Sequence, residues 1–171
     1  FYGAVIACAD DERLRELLPR MTRRVTTYGL ADRGPVSGLS LSGHDVSLQG
    51  FGSRCLVRVR AASEPERTLG ELRLQIPGRH NLLNALGAAA VGLEIGLDFE
   101  RVASGLAEFK GAEWRFQLRG EARGVMVVDD YGHHPTEIAA VIGAARAGIG
   151  RRVIVVFQPH RYSRTQQLMP E

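Results

Sequence analysis

Histidine is the residue type whose placement in this sequence most suggests chemistry. Four of the five histidines fall in three short segments, GRHNLLN at 78–84, DDYGHHPTE at 129–137 and QPHRYSRT at 158–165, and His44 lies outside them. Imidazole titrates near neutral pH, so it can donate or accept a proton under ordinary cellular conditions. These three segments are therefore the candidate functional sites.

The segment DDYGHHPTE lies between an apolar strand and a helix that is predicted to begin at Pro135. Asp129 and Asp130 end the strand, where open α/β sheets bind their ligands. His133 and His134 precede the helix, whose free N–H groups favour an anion and a neutral imidazole. Two alternatives stay open. His134 could simply cap the helix, with the aspartates serving the turn, and Asp130, His133 and His134 could bind a metal, although their spacing is not typical of a metal site.

The segment QPHRYSRT also follows a predicted strand, and it contains His160, two arginines and no acid. Arg161 and Arg164 are three residues apart, so on a helical turn both could face one carboxylate or phosphate. The alternative is a solvated basic loop. Contact with RNA is weakly supported, because a single Tyr in one short loop offers little base stacking.

In GRHNLLN, His80 and Asn84 lie one helical turn apart at the start of an apolar helix. A buried amide is costly unless it is paired, and the donor and acceptor edge of Asn matches adenine. The alternative is that Asn84 is an ordinary residue near a helix N-terminus. Arg115, next to Trp114, could be an anion ligand or a surface charge packed on the indole.

The elements that must position these segments alternate between strands and helices. An apolar strand at 2–9 is followed by a helix that Asp10 and Asp11 open and Pro19 ends. Another strand is predicted at 23–28, and the alternating segments from 37 to 76 predict a small antiparallel meander. Next come a mostly buried helix at 80–95 that ends at Gly96, and a second helix that Asp98 caps, with Val102, Leu106 and Phe109 facing inward.

A second region begins near residue 113. Strands are predicted at 115–120 and 124–130, a helix from Pro135, and a buried parallel strand at 151–157. A strand, a helix and a parallel strand form a βαβ unit, so the sequence predicts an α/β fold with a division between residues 1–112 and 113–171.

The composition excludes several classes of protein. The 171 residues are 44% hydrophobic and 24% charged, which is typical of a packed globular fold rather than a disordered or fibrous one. The net charge of +3 combines 21 arginines and one lysine with 19 acidic residues, which indicates a solvated surface rather than a nucleic-acid interface. Cys8 and Cys55 show no CxxC spacing and are expected to be buried free thiols. Without a membrane-spanning run or a signal-peptide pattern, we expect a cytoplasmic protein.

Taken together, in this order and at these spacings, the three segments resemble the Mur ligases, the ATP-dependent amide-forming enzymes of peptidoglycan precursor synthesis. The resemblance extends from YGAVIACADD and RELLPR through PGRHNLLNALGAAA and FKGAEWRF to QPHRYSRT. DDYGHHPTE and QPHRYSRT look most like the branch that joins L-alanine to UDP-N-acetylmuramate. The alternative within the family is the branch that recycles murein tripeptide.

The resemblance implies a division of the chain. Residues 1–112 would be the back half of a central ATPase domain, a mixed sheet with helices and a small antiparallel meander. Residues 113–171 would begin a Rossmann-like C-terminal domain with its first βαβ unit. No Gly-rich loop ending in Gly-Lys-Ser/Thr is present. We therefore expect the N-terminal domain and the front half of the central domain, with most magnesium ligands, to lie outside this sequence, and the chain alone to be inactive.

The resemblance also implies ligands and residue roles. ATP and magnesium would serve the reaction, UDP-N-acetylmuramate and L-alanine would be the other small-molecule substrates, and no nucleic acid or membrane would be involved. A phosphoryl group would pass to the sugar's carboxylate, and the amine would attack the acyl phosphate. The residues implied to bind ATP are His80, Asn84, Arg115 and Asp130. Those implied to surround the amino acid and acyl phosphate are Tyr131, His133, His134, His160, Arg161 and Arg164, with His133 and Arg164 as the catalytic pair.

Two rival classes of function remain at this point. A noncatalytic α/β module could bind RNA or another polyanion through its basic loop. A dinucleotide oxidoreductase is disfavoured, because no GxGxxG follows any predicted strand.

Overall fold

Two β-sheets organise the part of the chain that the computed structural model describes, residues 3–31, 40–60 and 64–168. The larger sheet has five strands in the order β1-β2-β3-β4-β5. They are β1 (Ala4–Cys8), β2 (Arg24–Leu30), β3 (Leu41–Gln49), β4 (Gly52–Val59) and β5 (Arg67–Leu74). The first two pairings are parallel and the last two antiparallel, so this is the mixed sheet with an antiparallel meander that the sequence predicts.

The first helix, α1 (Glu12–Leu17), follows β1 as expected. Asp11 caps it, because the Asp11 carboxylate accepts a hydrogen bond from the Leu14 N–H at 2.9 Å. A short 3₁₀ turn at Leu18–Arg20, which contains Pro19, ends the helical segment. Asp10 does not cap the helix: its carboxylate accepts a hydrogen bond from the Leu30 N–H.

The meander and two helices enclose the core. In β4 the residues Ser53, Cys55 and Val57 are buried at every second position, which is the period expected of a strand with one face on the core. Helix α2 (Arg79–Glu94) lies on the sheet and buries Leu82, Ala85, Leu86, Ala89, Ala90 and Gly92.

Helix α3 (Phe99–Glu108) packs on α2 where Gly92 leaves room, since a Cβ there would lie 2.6 Å from Val102. Gly96 adopts φ 86° just after α2 and confirms the predicted helix end. Asp98 occupies the N-cap position of α3, but its side chain makes no capping hydrogen bond. Phe109 was expected to face inward and is instead 46% exposed.

The second sheet is a two-stranded hairpin of β6 (Gln117–Ala122) and β7 (Val125–Asp129). Helix α4 (Pro135–Ile149) begins at the predicted proline, and helix α5 (Tyr162–Leu168) follows it. Helix α4 also contacts the larger sheet, because the Gly50 N–H donates to the Gly148 carbonyl at 2.8 Å.

The structure differs from the sequence prediction at residues 151–157. This segment pairs with no strand in the described part of the chain, and Ile154 and Val156 are 73% and 95% exposed. A parallel strand needs a neighbouring strand for its ladder of hydrogen bonds and a layer to cover its side chains. The described residues supply neither for this segment, so the predicted βαβ unit is not completed by its last strand.

The two cysteines are free, as expected; Cys55 is fully buried, whereas Cys8 is only partly buried, contrary to the prediction. Burial raises the pKa of the Cys55 thiol to about 12, so it is a protonated packing residue. None of the helices in the described ranges has the length and apolarity needed to cross a bilayer.

Because α2 packs one face against the sheet, substitutions on its buried and exposed faces should change the free energy of unfolding by different amounts. Leu86 is fully buried, whereas Val91 on the same helix is 47% exposed. Leu86→Ala should lower the free energy of unfolding by about 2–5 kcal/mol through lost burial and the cavity left behind. Val91→Ala is the control and should change it by less than about 1 kcal/mol. Urea denaturation of both variants measures the difference, and equal losses would contradict this packing.

Candidate functional site

A cleft of about 670 Å³ lies between the first turns of α2, the end of α3, the segment 111–116 and the start of α4. Its polar walls include all four residues predicted on the nucleotide side: His80, Asn84, Arg115 and Asp130. Its apolar lining includes Ala85, Ala88, Leu106 and Phe109. A pocket with apolar walls and a few convergent polar groups is typical of a small-molecule site. Residues up to 50 positions apart thus share one surface.

The two asparagines in the first turns of α2, Asn81 and Asn84, have different roles. The Asn81 side chain donates to the Pro77 carbonyl at 2.7 Å, so it supports the helix start. Asn84, one turn later, is exposed at the cleft and makes no side-chain hydrogen bond within the described ranges. Its amide therefore has both its donor and its acceptor free for a ligand.

His80 stands deeper in the cleft wall than Asn84. Burial lowers the pKa of His80; the nearby Asp130 carboxylate raises it, and the Arg115 guanidinium lowers it further. The net direction is downward, so His80 is neutral at pH 7 and can both donate and accept a hydrogen bond.

The Asp130 carboxylate holds the chain on both sides of it. It accepts from the Phe116 N–H at 2.8 Å and from the Gly132 N–H at 2.6 Å. The Tyr131 N–H donates to the Trp114 carbonyl at 2.7 Å. Trp114 and Phe116, which flank Arg115, have φ values of 64° and 46°. Left-handed backbone costs a non-glycine residue about 1 kcal/mol or more, so these bonds hold an unfavourable turn that carries Arg115.

Glu137 faces Arg115 across the cleft, with Nη1 of Arg115 lying 3.4 Å from Oε1 of Glu137. The other oxygen, Oε2, accepts from the N–H groups of His133 and His134 at 3.1 and 3.2 Å. These backbone bonds are the main reason that the pKa of Glu137 is lowered, although partial burial opposes them. Glu137 is not among the residues predicted from the sequence, although its third position in the helix is typical of a capping box and was a signal for it.

His134 is the N-cap of α4, with Nδ1 accepting from the Thr136 N–H at 3.4 Å. This is the alternative role that the sequence left open. His133 points elsewhere: its Nδ1 lies 2.9 Å from the Tyr131 carbonyl. A carbonyl can only accept, so Nδ1 carries the proton, and the neutral ring has an unprotonated Nε2.

Three rings predicted on the substrate side form a cluster. The ring centroids of Tyr131 and His133 are 5.2 Å apart, those of His133 and His160 5.4 Å, and those of Tyr131 and His160 6.2 Å. The segment after β7 and the segment before α5 therefore meet, although His133 and His160 are 27 positions apart in the sequence.

The basic residues of the third segment are only partly described. Arg161 is exposed, and its carbonyl accepts from the Thr165 N–H at 3.1 Å at the start of α5. Arg164 lies within α5, but its side chain is outside the described residues. Across the described ranges, no group of three or more His, Cys, Asp or Glu side chains is placed to hold a metal ion.

Comparison with known proteins gives concordant matches. Residues 114–171 match the family described as Mur ligase, glutamate ligase domain. The whole chain is 45% identical to a UDP-N-acetylmuramate–L-alanine ligase of Geobacter sp. and 47% identical to one of Solibacter usitatus. The crystal structure of the UDP-N-acetylmuramate–alanine ligase of Thermotoga maritima matches 96% of this chain with a TM-score of 0.70 at 28% identity.

The matches cover only part of each relative. The chain spans 35% of the Geobacter protein, 34% of the Solibacter protein and 35% of the Thermotoga chain. It therefore corresponds to about a third of the length of the relatives that it matches.

The buried environment of His80 predicts a pH-dependent stability. Because its folded-state pKa lies below the usual 6.5, the unfolded chain binds a proton that the folded chain does not. Stability should fall as the pH is lowered from about 7.5 through 6.5 towards the folded-state value, and His80→Gln should reduce that slope. Urea denaturation of both proteins across this range is the measurement. An identical slope in the variant would show that His80 is not the group responsible.

Proposed function

Because the chain belongs to the Mur ligase family, we propose that the whole protein joins L-alanine to UDP-N-acetylmuramate with ATP as the phosphoryl donor. One observation carries the proposal beyond similarity. His80, Asn84, Arg115 and Asp130, which the family pattern assigns to ATP, line one cleft. The ring cluster of Tyr131, His133 and His160 adjoins this cleft, because Tyr131 directly follows Asp130 and because Glu137, which lines the cleft, accepts from the His133 N–H.

In this proposal the nucleoside lies against α2. The unpartnered amide of Asn84 pairs with the adenine edge, and neutral His80 supplies a further donor or acceptor. The apolar side chains of Ala85, Ala88 and Phe109 provide a surface for the base. Each carboxylate oxygen has two lone pairs, so Asp130 can accept from ribose hydroxyls while it keeps its backbone hydrogen bonds.

The phosphates extend towards Arg115, whose planar guanidinium suits phosphate oxygens. Transfer of a phosphoryl group to the sugar's carboxylate gives an acyl phosphate, and attack by the L-alanine amine then releases phosphate. Negative charge accumulates in both steps, so fixed cations are needed around the reacting groups. We assign this role to Arg115, Arg161 and Arg164.

We assign His133 to the incoming amine. An amino acid arrives as an ammonium ion and must lose a proton before it can attack. With Nδ1 fixed on the Tyr131 carbonyl, the unprotonated Nε2 of His133 can accept a hydrogen bond or a proton from that amine. Tyr131 and His160 enclose the same position, and His134 supports it from the helix cap.

Magnesium fits the described residues poorly, because they contain no cluster of metal ligands. The proposal therefore places the ligands of that ion elsewhere in the whole protein. We also propose that the domain division falls near residues 112 and 113. Two observations support this division: the two sheets lie on either side of it, and the family match begins at residue 114. ATP as substrate supports a cytoplasmic location, and we propose small-molecule substrates with no nucleic acid or membrane involved.

The proposal is tested with the full-length protein in an assay of phosphate release. Release should require ATP, UDP-N-acetylmuramate and L-alanine together, and the 171-residue chain alone should show none. Murein tripeptide replacing L-alanine as the better substrate would assign the protein to the recycling branch. Release of phosphate from ATP by the isolated chain would contradict the proposal that residues outside this chain are needed for the reaction.

Asn84→Ala should weaken ATP binding in the full-length protein, because the adenine edge would lose its partner at about 1–3 kcal/mol. The KM for L-alanine should stay within about twofold. Gln75→Ala is a matched control, since the Gln75 amide donates to the Ala107 carbonyl and does not line the cleft. If the KM for ATP is unchanged in a folded Asn84 variant, Asn84 is only a residue of the helix start.

Arg164→Lys tests the substrate side. An ammonium cannot reproduce the two-pronged guanidinium contact with a carboxylate or phosphate. The KM for L-alanine should rise, or kcat fall, by roughly tenfold, which corresponds to about 1.4 kcal/mol, while ATP affinity is retained. Arg101→Lys on the exposed side of α3 is the control. Unchanged L-alanine kinetics with lost ATP binding would place Arg164 among the nucleotide ligands.

A further inference from the structure

Glu137 lies at the junction of the two groups of residues that the proposed function separates. Its Oε1 faces the Arg115 guanidinium on the nucleotide side at 3.4 Å. Its Oε2 accepts from the backbone N–H groups of His133 and His134 on the substrate side. One carboxylate thus contacts both halves of the site.

A helix cap alone does not account for this arrangement. A capping box needs the glutamate to accept from the N-cap N–H, and here that residue is His134. Glu137 additionally accepts from His133, lines the cleft and directs its second oxygen at Arg115. The hydrogen bonds lower the pKa of Glu137, so it is ionised at neutral pH and attracts the guanidinium.

We propose that Glu137 is a positioning residue of the ligase reaction, which aligns the Arg115 guanidinium along the cleft and fixes the backbone that carries His133. The inference rests on the proposed function and adds a residue to it. Because one carboxylate serves both groups, the phosphates beside Arg115 and the amine beside His133 are placed relative to each other by a single support.

The alignment of Arg115 depends on this contact because its side chain is half exposed. A long, exposed guanidinium samples several rotamers, and each must be suppressed before it can meet a phosphate in one orientation. Removing the Glu137 carboxylate would allow the Arg115 side chain to sample these rotamers again. The backbone of Arg115 stays fixed, because Asp130 and not Glu137 holds the flanking turn.

Glu137→Gln separates positioning from capping in the full-length protein. The amide oxygen of Gln can still accept from the His133 and His134 N–H groups, whereas the negative charge that faces Arg115 is lost. Glu121→Gln is the matched control, because Glu121 is also an exposed carboxylate paired with an arginine, Arg151, but it lies outside the cleft. The measurements are KM for each substrate, kcat and the melting temperature.

The expected result is a KM for ATP raised roughly threefold to tenfold in Glu137→Gln, with the melting temperature and the Glu121→Gln kinetics unchanged. In an Arg115→Ala background the same substitution should add no further increase in this KM, since the partner is gone. A structural role would not produce this non-additivity.

Two results would overturn the inference. The first is a KM for ATP in Glu137→Gln equal to that of the parent; the second is that the effects of the two substitutions multiply independently. Either result leaves the proposed function intact, because the parent remains active. Lack of three-substrate phosphate release in both the parent and Glu121→Gln would instead overturn the proposed function, and this inference with it.

Discussion

The Asp130 carboxylate is the interaction on which the rest of the site depends. It accepts from the backbone on two sides, at Phe116 and at Gly132, and so ties the segment before β6 to the end of β7. The turn that it holds has left-handed backbone at Trp114 and Phe116, which no regular element would supply. Without these bonds the turn would relax, and Arg115 would leave the cleft wall.

This fixed turn places the Arg115 charge in the cleft wall and so determines the electrostatics of the cleft. Arg115 is paired with Glu137, while burial keeps His80 neutral. The Glu137 carboxylate holds the guanidinium in place but also offsets its charge, so in the proposed function an incoming polyphosphate needs additional cations. This pairing agrees with the proposal that magnesium ligands and further arginines outside the described residues complete the site.

The features that could be predicted from the sequence are those that depend on residue type and on hydrophobic periodicity. The three histidine segments, the antiparallel meander, α2 with its end at Gly96 and α4 with its start at Pro135 were all read from such patterns. The role of Asp130 as a backbone clamp and the bridge made by Glu137 were not, because they depend on φ values and distances that no local pattern encodes. The prediction of a strand at 151–157 was wrong for a related reason. An apolar run predicts burial, but a strand forms only beside another strand.

In the proposed function, the adenine of ATP lies against α2 in the cleft that Arg115 and Asp130 close. Photo-labelling of the full-length protein with 8-azido-ATP, followed by peptide mass spectrometry, tests it most directly. Labelling is expected within residues 80–88 or on the opposite wall at 106–116, and excess ATP should suppress it. Labelling confined to residues 158–164, or labelling that ATP does not suppress, would contradict it.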